Sequence, residues 1–234
     1  IHRALPAKDG PIIPFIAETG GINAMLVDSS ALPEQVVDAV VQSAFRSAGQ
    51  RCSALRLLVL HDGIADAVIE MIRGAAGELV AGDPALLSTD VGPVIDSEAA
   101  DNIRRHLKRL DSEAKRLLAP ASSTTDAEGN LIAPQAYEVS SIESVTSEIF
   151  GPVLQIARWG HGALSDPAEV IDRINALGYG LTLGIQTRID SRAQALASRA
   201  HVGNIYVNRN IIGAVVGVQP FGGEGLSGTG PKAG

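Results

Sequence analysis

At 234 residues, 45% hydrophobic and only 3% aromatic, the chain suits a helix-covered sheet packed through small side chains, in one large or two small domains. With 26 acidic against 19 basic residues the net charge is −7, and no Lys/Arg block exceeds two residues, which argues against a nucleic-acid footprint. Its single cysteine, Cys52, excludes an internal disulfide. The absence of a span-length apolar run and of a basic-then-apolar leader makes a reduced, cytoplasmic setting the expectation.

Ile1-His2-Arg3 lacks an initiator methionine and Lys232-Ala233-Gly234 stops in mid-phrase, so a piece of a longer protein is expected. The apolar segment Pro11–Ala17 reads as a strand, and Met25-Leu26-Val27 as another. From Pro33, a stripe of Val36, Val37, Val40, Val41, Ala44 and Phe45 predicts a helix, with Pro33 in its first turn and Gly49 at its stop. Residues 55–60 read as a strand buried on both faces. Asp62 is expected to cap a second helix and Ser97 a third, whose Arg104, Arg105, Lys108, Arg109 and Lys115 form a solvated face. Residues 122–130 read as a surface loop. Strands follow over 153–159, 181–187 and 204–208, separated by helices opening at Asp166-Pro167 and capped by Asp190. Repeated strand–helix–strand units of this length imply an α/β fold, a parallel, doubly wound sheet with helices on both faces.

In such sheets, function gathers at the carboxyl ends of strands, and four loops are expected there. They are Glu18-Thr19-Gly20-Gly21, the Cys52 loop, Glu148-Ile149-Phe150-Gly151-Pro152, and the glycine-dense tail from Gly213 to Gly225. Singly, each has an ordinary structural reading: a solvated carboxylate, a buried small hydrophobe, a turn glycine. Together they describe a thiol chemistry. A thiol near neutral pH is only a few per cent ionised, and backbone N–H groups with Arg51 nearby would lower its pKa if they point inward. A carboxylate held back from the thiol would then activate water.

Glu18-Thr19-Gly20-Gly21, Gly49-Gln50-Arg51-Cys52, Glu148-Ile149-Phe150-Gly151-Pro152 and Pro220-Phe221-Gly222-Gly223, in this order, closely resemble the signature of the NAD(P)-dependent aldehyde dehydrogenases. The resemblance covers essentially the whole chain. Residues 17–24, 47–54 and 207–217 resemble one branch, the glutamate-semialdehyde (1-pyrroline-5-carboxylate) dehydrogenase module of bacterial proline utilisation flavoenzymes. Ile22 departs from the wider pattern, where a lysine commonly follows the two glycines.

The resemblance implies that Cys52 is the nucleophile, that its backbone N–H donates to the oxyanion, and that Glu18 is the base for thioester hydrolysis. It places Glu148, Phe150 and Gly20 on the cofactor side, with Glu148 on the nicotinamide-side ribose. Ser53 and the Gly213-Ala214 backbone would hold a substrate α-carboxylate, and Phe221 would flank its aliphatic part. NAD is the implied cofactor, and FAD would belong only to a proline-oxidising domain outside this chain. The implied organisation is residues 1–17 as the last strand of an otherwise absent cofactor domain, 18–220 as the catalytic domain, and 221–234 as a segment leading out. Glutamate semialdehyde would be the substrate, a homo-oligomer the assembly, and the parent protein would sit peripherally at the inner membrane.

Two other readings compete. The segment alone is a non-catalytic packing or oligomerisation module, with an exposed sheet edge favouring self-association. Alternatively, Cys52 works with a histidine, of which His61 is nearest in sequence and His2, His106, His161 and His201 are scattered. One cysteine and five dispersed histidines offer no metal-ligand pattern.

Overall fold

The computed structural model describes residues 1–234 apart from 2, 12, 119–128, 163, 231, 233 and 234, so most of the expected loop over 122–130 lies outside the described residues. In chain order the elements are β1 (Asn23–Val27), α1 (Pro33–Phe45), β2 (Leu55–His61), α2 (Asp62–Gly77), α3 (Ser97–Glu113), β3 (Lys115–Leu118), β4 (Gln135–Glu138), β5 (Val153–Trp159), α4 (Pro167–Ala176), β6 (Tyr179–Gly180), β7 (Thr182–Gln186), α5 (Asp190–Arg199), β8 (Asn204–Val207) and β9 (Glu224–Gly225).

Among the described residues, seven strands form one sheet in the order β3-β4-β5-β2-β1-β7-β8, parallel except for the β3–β4 pair. Strand residues alternate between two cores. Leu26, Leu57, Val59, Leu183 and Ile185 pack on the side of α3, α4 and α5, while Met25, Val27, Leu58, Leu60 and Ile156 pack on the side of α1 and α2. Both faces of the sheet are therefore covered, and the continuous apolar runs of β1 and β2 follow from burial on both sides. The doubly wound α/β expectation and the structure agree.

Several local expectations differ. The segment over 13–17 is no strand. Pro11 and Pro14 remove donors, and the chain there pairs with the tail, through the Glu18–Gly228 bridge and Thr229 N–H donating to the Ala17 carbonyl at 3.1 Å. Asp62 does not cap α2; the His61 ring nitrogen Nδ1 accepts from Gly63 N–H at 3.0 Å instead. Asp96 rather than Ser97 caps α3, accepting from Ala99 N–H at 2.8 Å, and Ile189 precedes α5 without a side-chain cap. Asp166 caps α4 as expected, accepting from Ala168 N–H at 2.9 Å. The edge strand β3 and its neighbour β4 were not foreseen: at four residues each, they are too short to stand out from the polar stretches around them.

The helix α1 stops at Phe45, four residues before Gly49. Ser47, Ala48 and Gly49 then take left-handed backbone angles (φ 57°, 53° and 63°) in a tight turn leading to Cys52. Gly49 is there for space. A Cβ at this position would lie 2.2 Å from the Gly151 carbonyl oxygen.

Candidate active site

The four loops meet at the amino ends of the strands, against the carboxyl-end expectation. Gly20-Gly21 precede β1, Cys52 precedes β2, Glu148 to Gly151 precede β5, and the tail docks where β8 begins. The carboxyl ends are filled instead. The chain runs β1, β2, β5 outward and returns to β7 and β8 on the other side of β1, which makes β1/β7 the switch point. The crevice there is closed by Asp28, buried, which accepts from Ser30 N–H and Thr187 Oγ1 at 2.6 Å each and pairs with Arg192.

Asn23, the first residue of β1, fixes the Cys52 turn. Its buried amide donates to the Cys52 carbonyl at 2.7 Å and the Ala54 carbonyl at 2.8 Å, while its oxygen accepts from Thr182 N–H of β7 at 3.2 Å. A Cβ on Gly21 would press on this amide, 2.8 Å from Asn23 Oδ1, and crowd the Cys52 carbonyl oxygen at 3.1 Å. Ile22 is buried in the core, which accounts for an apolar residue at that position.

Cys52 is exposed and lines a cleft of about 450 Å³ together with Ser53, Gly213, Ala214, Phe221, Gln50, Arg51, Val216 and Gln219. The thiol and all four residues expected on the substrate side thus share one opening. The tail that supplies Phe221 is held by β8: Asn204 donates to the Pro220 carbonyl at 2.9 Å and accepts from Gly222 N–H at 3.4 Å. Gly203 lets it approach, since a Cβ there would lie 1.6 Å from the Gly222 oxygen.

Glu18, Glu148, Phe150 and Gly20 do not line this cleft. Glu18 is exposed and joined to the tail, its Oε1 accepting from Gly223 N–H at 3.2 Å. Glu148 accepts from Gly21 N–H at 3.2 Å and from Arg56 at 3.4 Å, and a Cβ on Gly20 would come within 2.7 Å of its Oε2. Phe150 is 44% exposed, with the Arg56 guanidinium 5.3 Å from its ring centre.

The electrostatics correct one expectation. Burial first, and then the charges of Glu18 and Glu148, push the Cys52 thiol above its ordinary value, outweighing the backbone N–H groups of Ser53 and Cys52 that pull it down. Arg51 gives no visible help, because its Nε is turned to Ser47 Oγ at 3.1 Å. Burial likewise raises the Glu148 carboxyl, against the opposing charge and hydrogen bond of Arg56 and the N–H of Gly21.

Asn23 and Arg56 are the site residues for which sequence reasoning found no role. The signal for Arg56 was a charge inside the apolar run Leu55–Leu60. The histidine partner is excluded for His61, whose ring packs edge-on against Trp159 at 4.8 Å at the other end of β2. His106, His161 and His201 do not line the cleft, and His2 lies outside the described residues. Among the described residues no cluster of His, Cys, Asp and Glu is arranged to hold a metal ion. No helix among them is long and apolar enough to cross a membrane.

The sequence matches the model of the aldehyde dehydrogenase family over residues 2–234. The chain belongs to the aldehyde dehydrogenase family. It is 56% identical to the bifunctional protein PutA of Escherichia coli K12, matching all of this chain and 18% of that protein. It is 35% identical to the 1-pyrroline-5-carboxylate dehydrogenase of Geobacillus kaustophilus, over 94% of this chain and 42% of that one. A crystal structure of a bifunctional proline utilization A protein superposes with a TM-score of 0.92 at 56% identity, covering 99% of this chain and 23% of that one. A 1-pyrroline-5-carboxylate dehydrogenase from Thermus with bound NAD gives 0.83 at 36% identity, covering 92% and 40%. The chain therefore spans under half the length of these family members, and under a fifth of the E. coli protein.

Proposed function

We propose that this chain is the catalytic domain of an aldehyde dehydrogenase that oxidises glutamate 5-semialdehyde to glutamate with NAD. The observation that carries the reading is the shared cleft: an exposed thiol opens onto the same space as Ser53, the Gly213-Ala214 backbone and Phe221. Such a cleft suits a short aldehyde with a distal carboxylate. Amides of consecutive small residues and a hydroxyl bind the anion, and the aromatic ring covers the methylenes. The names of the similar proteins point to the same substrate and cofactor.

In this mechanism Cys52 loses its proton to solvent and adds to the aldehyde carbon as the thiolate, and the developing oxyanion is met by the Cys52 backbone N–H. NAD, when bound, supplies the acceptor for the hydride that leaves this carbon. The thioester then left on Cys52 is attacked by water whose proton passes to Glu18, and the sulfur departs as thiolate. Glu18 is suited to this role because it is exposed and held in place through one carboxylate oxygen, Oε1, by the Gly223 N–H. A cradle for NAD is consistent with Phe150 exposed beside the half-buried Glu148 and with Gly20 and Gly21, where a Cβ would crowd Glu148 or Asn23.

The domain reading is part of the proposal. Ile13, Ile16 and Leu226 are exposed on the paired segments over 13–19 and 226–229, an apolar surface for the remainder of a cofactor domain to cover. A homo-oligomer and an attached proline-oxidising flavin domain are proposed on the same footing. In the full-length protein, Glu18→Gln should give a pre-steady-state burst of NADH followed by a stall, with acyl-enzyme accumulating on Cys52. Steady turnover at the parent rate would remove Glu18 from the scheme.

A further inference from the structure

Arg56 is buried to 1% exposure in a strand whose other buried residues are all apolar, and a buried charge demands a reason. Its position in β2 is irregular. Asn23 of β1 pairs with Leu55 and the next residue, Ala24, pairs with Leu57, so Arg56 is an extra residue in the ladder. The cores register the same slip: Leu55 and Leu57, two apart, belong to opposite faces of the sheet. A bulge of this kind re-aims a side chain. Here it turns the guanidinium toward the amino end of the sheet. There it donates to the Gly151 carbonyl at 3.1 Å, to the Arg51 carbonyl at 3.3 Å and to Glu148 at 3.4 Å, and it stands over Phe150. The peptide it holds at Arg51 is the one that leads into Cys52. Its Nε, also buried, has no partner.

We propose that Arg56 is the positioning residue of this site, a single planar fork that locks the Cys52 turn to the Glu148 loop and keeps the thiol and the cofactor-side carboxylate in fixed relation. Three features favour arginine over any other cation. The fork reaches three oxygens on two loops, its plane stacks on Phe150, and its charge survives burial. Among the described residues it is the one buried cation, and it lies in the electrostatic reach of both Glu148 and Cys52. The fixed positive charge thus opposes the two carboxylates that raise the thiol, so the strand carries an electrostatic support for thiolate as well as a clamp.

The inference rests on the dehydrogenase reading but is testable apart from it. In the full-length protein, the rate at which iodoacetamide labels Cys52, followed on its peptide by mass spectrometry, is measured against pH without aldehyde or cofactor. Arg56→Met should move the profile to higher pH, with labelling about tenfold slower near neutrality, the equivalent of about one pKa unit. Arg56→Lys keeps the charge and loses the fork. Its labelling profile should stay near the parent's while its NAD affinity, read by calorimetry, falls about tenfold. A folded Arg56→Met protein with an unshifted profile overturns the proposal, and so does undiminished NAD affinity in Arg56→Lys. If Arg56→Met does not fold, the Lys variant alone decides. Loss of the dehydrogenase reading would show elsewhere, as undiminished turnover in Cys52→Ala, and would leave the labelling result standing.

Discussion

The two ends of the parallel sheet solve opposite problems with the same residue types. At the carboxyl end, Asp28 is surrounded by donors: burial pulls its carboxyl up, but hydrogen bonds from Ser30, Thr187 and Arg192 outweigh this and hold its pKa below the ordinary value. Asn208 completes the closure, donating to the Thr187 carbonyl at 2.9 Å and accepting from its N–H at 3.0 Å. At the amino end, Cys52 and Glu148 are held above their ordinary values, Arg56 keeps an orphaned Nε, and the space beside them is open. Satisfied polar groups at one edge stabilise the fold, and under-satisfied ones at the other are poised for a ligand. The switch-point crevice is normally where an open α/β sheet binds, yet here it has been closed by polar side chains.

The comparison is sharpest for Cys52→Ala. Dehydrogenase turnover of the full-length protein should fall by about four orders of magnitude or more, as for other covalent nucleophiles, while stability changes by less than about 0.5 kcal/mol because the side chain is exposed. Steady-state kinetics beside a denaturant melt would expose either half as wrong. Gly203→Ala should damage both properties. Its Cβ collides with the Gly222 carbonyl, so the tail must leave β8, costing about 3 kcal/mol and lowering turnover through displacement of Phe221.

Asp28→Asn is the inverse of Cys52→Ala. It should lower stability by about 2 kcal/mol, as expected when a buried carboxylate loses charge-assisted hydrogen bonds, with turnover per folded molecule unchanged. Because the Asp28 pKa is lowered on folding, its contribution is present above 3.8 and fades as pH falls through the lower folded value. The gap between parent and variant in urea melts should therefore close in acid. The smallest effect belongs to Glu148→Gln. Its raised pKa has the opposite sign: the stability it contributes is present below 4.5 and is lost as pH rises through the folded value. The parent should lose stability over that interval and the Gln variant should not; parallel melts across mildly acidic pH would contradict the assignment of burial as the dominant cause.

Much of the fold was legible because it obeys periodicity. The α1 stripe, the apolar runs of β1 and β2, and the Asp166-Pro167 helix start each express burial or capping within a few residues. What escaped depends on contacts distant in sequence. Gly49 reads as a helix stop and is a packing site against Gly151; His61 takes the cap expected of Asp62 because its ring folds back on Gly63. The site motifs were visible and their edge of the sheet was not, because loop sequences carry no mark of which strand end they join. Arg56 was printed in the strand as a contradiction. Only the bulge, a property of pairing with β1, shows where its charge goes.

Glu18 and the Gly223 peptide that holds it are separated by 205 residues. The entropy of closing so long a loop grows only slowly with its length, but contacts of this span form late. During synthesis β2, which follows the Cys52 turn, can pair with β1 early, whereas the Glu18 carboxylate meets its partner only once Gly223 has been added.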